Sequence, residues 1–498
     1  MASVAVIGAG FSGLSAAAYL AYEGHEVSVF EKHTTAGGRA RQMAVPEGYV
    51  FDMGPSWYWM PDVFDRFFAD FGSSTADHYR LTLLDPGFEV VFEKESTLLV
   101  PDEFDRLKAL FEGIEPGSAL RLDRFMQGAQ YKYETAMQHL IYSPGLSLRE
   151  FLRAGVLRGA WSLQLLTSLR RHVRKYFRDP RLVSLMEFPV LFLGGSADQI
   201  PALYSLMNYA GLRLGTWYPR GGFGKVVSAV AAVGEAAGAR FFYNSPIERI
   251  SVSGSLADGV VVNGTFYPFD AVVAAADYHH VEDRLLPPQF RNYTADYWKS
   301  RTMAPSCLIY YLGIRKRLRR LSHHTLFFDG DMDGHTRDIY ADPKWPDNPQ
   351  FYVGCPSKTD PSVAPPGHEN LFLLLPLAPD LEDSEVMREH YFQIMLARLE
   401  AHTGEAIKPF IDYRKSFGLS DFTREYNAYR GNAYGLANTL RQTAIWKPSM
   451  RNSNLSNLFY AGQLTVPGPG VAAALISGKI AAAQVMKHFK RTRYEGAL

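Results

Sequence analysis

Val4-Ala5-Val6-Ile7 is an unbroken apolar run, closed by Gly8, Gly10 and Gly13. Leu14 to Leu20 follows as a helix-length stretch of small and apolar residues, and Val27-Ser28-Val29-Phe30 is a second apolar run that ends on Glu31. Apolar runs this short, bounded by glycine, predict strands buried on both faces, and the alanine-rich stretch between them predicts a helix lying close on the sheet. The same texture returns far along the chain. Val226 to Gly238 predicts a small-residue helix, while Arg240–Tyr243, Ile247–Val252 and Asp270–Asp277 predict strands. Asn457–Gln463 predicts a strand ending in a glycine turn, followed by a helix from Leu475 to Met486. One α/β domain is therefore assembled from three separated segments, 1–75, 215–285 and 451–498. The stretch 342–368, rich in Pro and Asp, reads as surface loops with one embedded strand, Phe351 to Val353.

The first glycine turn carries chemistry. Gly8 permits the tight turn, Gly10 lets the backbone approach a pyrophosphate, and Gly13 lets the helix lie close on the strand. Ala9, Phe11 and Ser12 fill out a turn whose helix N-terminus offers N–H groups and a positive dipole end to phosphate. Glu31 falls roughly twenty residues later, where an acid accepts ribose hydroxyls, and Lys32 follows it. Ala36-Gly37-Gly38-Arg39 and Phe51-Asp52-Met53-Gly54-Pro55-Ser56 add a second glycine turn and an arginine close downstream, as a longer, wrapped ligand requires. At the other end, Ala461-Gly462-Gln463 and Gly470-Val471-Ala472 place a helix N-terminus where it can face an electron-rich ring. Two such turns at opposite chain ends fit FAD across one domain and fit NAD poorly. No second glycine fingerprint with a following acid marks a nicotinamide site.

With these residues in place the chain resembles the bacterial-type phytoene desaturases, the FAD-dependent carotenoid desaturases, over nearly its full length. The more specific matches are Phe51 to Tyr58, Leu193-Gly194-Gly195-Ser196 with Tyr204, Trp217 to Gly222, His323-His324-Thr325, Asn427 to Gly431, and Ala461-Gly462 through Gly470. The resemblance implies a Rossmann-like FAD domain with a mixed-sheet substrate domain (76–110 and 286–450) and a helical, membrane-facing insertion (111–214). It implies FAD contacts at Gly8–Gly13, Glu31, Lys32, Gly38, Arg39, Gly54, Pro55, Ser56, Gly462, Gln463, Gly470, Val471 and Ala472, with a backbone contact to adenine at Ile247. Asp179 and Arg181 align with a polar patch near the family's substrate channel and are the candidate acid–base helpers. The implied reaction removes hydride to the flavin and then a proton, converting phytoene stepwise toward lycopene-type products, with quinone or oxygen as final acceptor. Relatives of the same architecture act on C30 precursors or hydroxylated carotenoids, isomerise polyenes or saturate retinol, and a flavin-free prenyl escort is the non-enzymatic alternative. An amine oxidase of this fold needs an aromatic cage and a flavin-side lysine, and neither is evident from the sequence.

The segment Glu150 to Asp179 holds Arg153, Arg158, Arg170, Arg171, Arg174, Lys175 and Arg178 among Leu152, Trp161, Leu165, Leu169, Val173 and Phe177. That spacing predicts a basic amphipathic helix, lying either in an anionic bilayer interface or on the protein core with its arginines solvated. A carotene substrate favours such a contact, because each buried CH₂ is worth about 0.8 kcal/mol against water. Trp57 to Met60, Phe188 to Phe192, Tyr204, Met207 and Tyr209 supply material for a tunnel. A net charge of +1 over 498 residues argues against a nucleic-acid partner. Cys307 and Cys355 form no CxxC, so neither a metal site nor a dithiol pair is expected. With no signal-like start and no membrane-spanning run, the expected location is cytoplasmic, peripheral on the membrane's cytoplasmic face.

Overall fold

The structure, a computed structural model, describes residues 1–93, 96–146, 164, 166–189, 193–439 and 441–495. Its centre is a five-stranded parallel sheet in the order Leu458–Tyr460, Ala271–Ala274, Ser3–Ile7, Glu26–Phe30, Arg240–Phe242. Every one of these strands comes from the three segments singled out by pattern. Val4 and Val6 face a core shared with the helices Phe11–Tyr22, Phe223–Ala236 and Val471–Glu495. Ala5 and Ile7 face the opposite core, shared with Ile250, Val260 and Val262 of a three-stranded antiparallel sheet, Ile247–Ser253, Leu256–Val262 and Thr265–Pro268. The unbroken apolar run of the first strand is thus the signature of a sheet covered on both faces.

A seven-stranded mixed sheet forms the second half of the molecule. Its order is Ile411–Phe417, Ser306–Ile314, Glu369–Leu377, Phe351–Gly354, His324–Phe327, Phe88–Glu93, Ser96–Val100, with a single parallel pair between His324–Phe327 and Phe88–Glu93. One face packs on the helix Glu385–Thr403 through Leu308, Tyr310, Leu373, Phe392 and Met395. The other face presents Ile309, Leu326, Tyr352 and Leu374 to a cavity. The strand Phe351–Gly354 is fully buried inside this sheet, so the Pro- and Asp-rich stretch around it is core as well as surface loop.

The helices Ser118–Thr135, Pro180–Glu187 and Leu206–Leu212 lie in the insertion, and the helix Phe104–Ile114 crosses its expected boundary. Its basic segment departs from the expected long amphipathic helix. Residues 150–163 and 165, with Arg153, Arg158, Trp161 and Leu165, lie outside the described residues. The described part is a short helix, Leu169–Val173, with Leu169, Val173 and Phe177 buried in the protein core. Arg170 turns inward to Glu187 (3.2 Å), Asp198 (3.0 Å) and Asp333 (2.5 Å), so its charge is spent on protein carboxylates. No described helix is long and apolar enough to cross a membrane.

The two chain ends are pressed together. The Ser15 hydroxyl donates to the Leu475 carbonyl (2.7 Å). A Cβ on Gly478 would overlap the Ser12 carbonyl and come within 2.7 Å of the Ser15 Cβ. Gly478→Val therefore forces the two helices apart, at a cost of about 1–3 kcal/mol. Its thermal unfolding midpoint is expected below that of the parent protein, and an unchanged midpoint would show that the contact does not constrain the fold.

Candidate active site

The glycine turn owes its shape to two positions. Gly8 sits at φ +97°, a left-handed conformation, and a Cβ on Gly13 would overlap the Gly8 carbonyl oxygen. The helix that follows begins at Phe11 with Gly10 as its N-cap, and no side chain caps it. Its first N–H groups consequently have no intrahelical acceptor. A Cβ on Gly10 would meet nothing within 4 Å, so this glycine opens onto space. Beside it, Glu31 accepts from Ala9 N (2.8 Å) and His33 N (2.9 Å), which fixes the acid at the rim of the turn.

From this turn a cavity of about 930 Å³ runs without a break to the apolar face of the mixed sheet. Gly8, Gly10, Phe11, Ser12, Glu31, Lys32, Gly38, Arg39, Gly54, Pro55, Ser56, Ile247, Gly462, Gln463, Gly470, Val471 and Ala472 all line it. Ala9 and Gly13 do not, since one orients Glu31 and the other seats the helix. A Cβ on Gly54 would lie 2.5 Å from the Arg39 carbonyl, which explains how the second turn packs on the first.

Sequence reasoning named Arg39 but passed over the acid that acts on it, Asp277. Arg39 is half-buried and Asp277 buried on the cavity wall, and among the described residues Arg39 Nε and Asp277 Oδ2 have no hydrogen-bond partner. Burial pushes the Asp277 carboxyl up to about 6 against the pull of Arg39, and burial lowers the Arg39 guanidinium. Gln463, with its amide turned to satisfy both ends, accepts from Arg39 Nη2 (3.1 Å) and so ties the N-terminal turn to the C-terminal one. Orphaned polar atoms of both signs, an uncapped helix N-terminus and an acid at the second strand fit the phosphates and hydroxyls of FAD. The signal for Asp277 was its place at the end of a predicted strand.

The far part of the cavity is aromatic and aliphatic. Trp57, Tyr58, Trp59, Met60, Tyr204 and Met207 line it. Phe188 is buried in the core behind the wall and Tyr209 packs on Tyr133, so neither is a lining residue. Residues 190–192 lie outside the described residues. Trp57 stacks on His324 at 4.2 Å, and His324 Nδ1 lies 2.6 Å from the Tyr352 hydroxyl. Trp59 Nε1 donates to Thr216 (2.9 Å). The tandem histidines are therefore a buried buttress of the wall. Burial pushes His323 down to about 3 and His324 well below the usual imidazole range.

Asp179 and Arg181 stand elsewhere. Asp179 caps the helix Pro180–Glu187 by accepting from Arg181 N (2.9 Å), and its carboxylate pairs with the Arg181 guanidinium (2.9 Å). Neither residue lines the cavity. This corrects their assignment as acid–base helpers: the pair stabilises a helix end. Cys307 and Cys355 are buried and unpaired.

Comparison with known proteins gives this geometry a family. The description "Flavin containing amine oxidoreductase" matches residues 11–486. A carotenoid 3,4-desaturase of Haloarcula japonica is 43% identical over 479 residues, covering 96% of each chain. A zeta-carotene-forming phytoene desaturase of Myxococcus xanthus is 32% identical over 491 residues, 97% of this chain and 93% of that one. Among solved structures, an oxidoreductase from Methanosarcina mazei superposes with a TM-score of 0.61 at 17% identity, covering 97% of this chain and 100% of that one. A double mutant of putrescine oxidase superposes with 0.62 at 16%, covering 98% and 99%. The chain belongs to the flavin-containing amine oxidoreductases, in their branch of FAD-dependent carotenoid desaturases. It is an FAD-dependent oxidoreductase.

Glu31→Ala removes charge-assisted hydrogen bonds worth about 1.5–3 kcal/mol and loosens the turn it braces. FAD affinity is expected to fall about ten- to a hundredfold, read by titrating the apoprotein with FAD. Unchanged affinity would take Glu31 out of the cofactor site.

Proposed function

We propose that this chain desaturates a carotenoid, removing two hydrogens from adjacent saturated carbons of a long apolar polyene. The observation that carries this is the continuity of the cavity, whose polar end fits FAD and whose apolar end fits a hydrocarbon. Bound FAD supplies the hydride-accepting chemistry. The chain's own part is to hold the polyene in register and exclude water. Trp57 and Trp59 do so as fixed walls, the first clamped by His324 and the second by Thr216. His335, also on the wall, accepts at Nδ1 from Gln350 N (3.0 Å) and donates from Nε2 to the Pro376 carbonyl (2.9 Å). Both its ring nitrogens are occupied, so it orients the wall and moves no proton. Electrons leave to a quinone or to oxygen.

The 43% identity to a carotenoid 3,4-desaturase favours a 3,4-desaturation. The relative that desaturates phytoene, at 32%, supports phytoene-to-lycopene conversion as the second reading. Expression in bacteria that accumulate phytoene, and in bacteria that accumulate lycopene, separates the two by chromatography and absorbance of the pigments. A longer chromophore made from lycopene, with phytoene untouched, is the expected result. Coloured products from phytoene would move the assignment to the second reading. Unchanged pigments in both hosts, with flavin bound, would overturn carotenoid desaturation.

We infer further that the protein works peripherally at the cytoplasmic membrane face. A hydrocarbon reaches the cavity most easily without crossing bulk water, and two cavity-lining residues, Leu166 and Trp446, are 92% and 55% exposed. Replacing both by serine should reduce co-sedimentation with anionic vesicles at an unchanged thermal midpoint. Equal sedimentation would remove these residues from a membrane port.

A further inference from the structure

Lys447 is buried, at 5% exposure, and among the described residues its Nζ has no hydrogen-bond acceptor and no acid within ion-pair distance. Asn438 is buried beside it at 2%, with Oδ1 likewise unpartnered, and it lines the cavity. The two side chains close on one residue. A Cβ on Gly468 would meet Asn438 Oδ1 at 3.2 Å and Lys447 Cε at 3.4 Å. Gly468 lies between Pro467 and Pro469, both on the cavity wall, in the turn that leads into the 25-residue helix Val471–Glu495. That helix has no acid in its first turn to offset its positive end.

A buried amine without a partner is costly, and burial pushes Lys447 down to about 7. Nothing in the described chain answers its charge, and Lys447 stands behind the lining residues Pro467 and Pro469, so a negative charge inside the cavity would act on it across the Gly468 turn. A hydrocarbon carries no charge. FAD carries charge on its diphosphate in every state and on its ring only once reduced: a hydride brings two electrons and one proton, so an oxidised ring that accepts one gains one negative charge.

We propose that Lys447, set behind the Val466–Gly470 turn with Asn438 beside it, is a positioning charge that stabilises the reduced flavin and raises its midpoint potential. The helix N-terminus on the wall and Lys447 behind it both favour the ring after it has received electrons over the ring before. A more oxidising flavin suits the removal of hydride from a hydrocarbon that has no heteroatom to push electrons out. This inference rests on the FAD site described above.

The test compares FAD-loaded parent protein, Lys447→Met and Lys447→Arg by anaerobic reduction against reference dyes at neutral pH. Lys447→Met is expected to show a more negative midpoint, with Lys447→Arg returning toward the parent. Because Lys447 has no partner to strand, its replacement by methionine should leave the apoprotein at least as stable. Sulfite addition, which also leaves negative charge on the ring, gives a second readout and should weaken in Lys447→Met. An unmoved midpoint and unmoved sulfite affinity, with flavin retained, would overturn the proposal. If only polyene binding changes, the pair belongs to the substrate and the proposal fails. A parent protein that takes up no FAD would overturn the cofactor site itself, and this inference with it.

Discussion

The Gly8 carbonyl lies where a side chain on residue 13 would have to be, and the rest of the site hangs on that contact. Backbone against backbone is the only packing that brings the helix Phe11–Tyr22 down onto the first strand at this angle. Once seated, the helix aims its uncapped N-terminus along the strand ends, and Glu31 is pulled to the rim by Ala9 and His33. The C-terminal helix then leans on the same helix through Gly478, which carries its own N-terminus to the same cavity. Two positive helix ends converge because two glycine contacts allow them to.

The division of labour across the cavity follows from desolvation. At the cofactor end, buried polar atoms without protein partners are tolerable only because a polar ligand completes them. At the far end, wall groups are tied to protein partners: Trp59 to Thr216, and His335 to Gln350 and Pro376. Groups held in this way offer a guest only shape and dispersion. That is the recognition available to a hydrocarbon.

How much of this was legible in the sequence depends on whether the signal was local. The strand Val4–Ile7, the glycines after it and the acid at Glu31 announce themselves within thirty-one residues, because each does its job against its neighbours. The C-terminal turn was legible for the same reason. Asp277 and Arg39 lie 238 positions apart in the numbering, and only the fold places them on one wall. Lys447 sits in an ordinary Trp-Lys-Pro stretch, and its isolation is a property of the packed interior. Asp179 and Arg181 misled in the opposite direction: an Asp-Pro-x helix start reads as a polar patch, yet its partners lie two residues away. Arg170 looked solvated because Glu187, Asp198 and Asp333, which neutralise it, are not nearby in sequence.

The pairing of the chain's first and last elements also orders events during synthesis. In chain order the turn at Gly8–Gly13 leaves the ribosome well before the helix Val471–Glu495, whose first residues line the same cavity. The early βα unit must wait, half covered, while more than four hundred residues of other structure are made. Cofactor capture therefore waits for that distant helix, and a ribosome that stops before it leaves a chain with a nucleotide fingerprint and no place to keep the nucleotide.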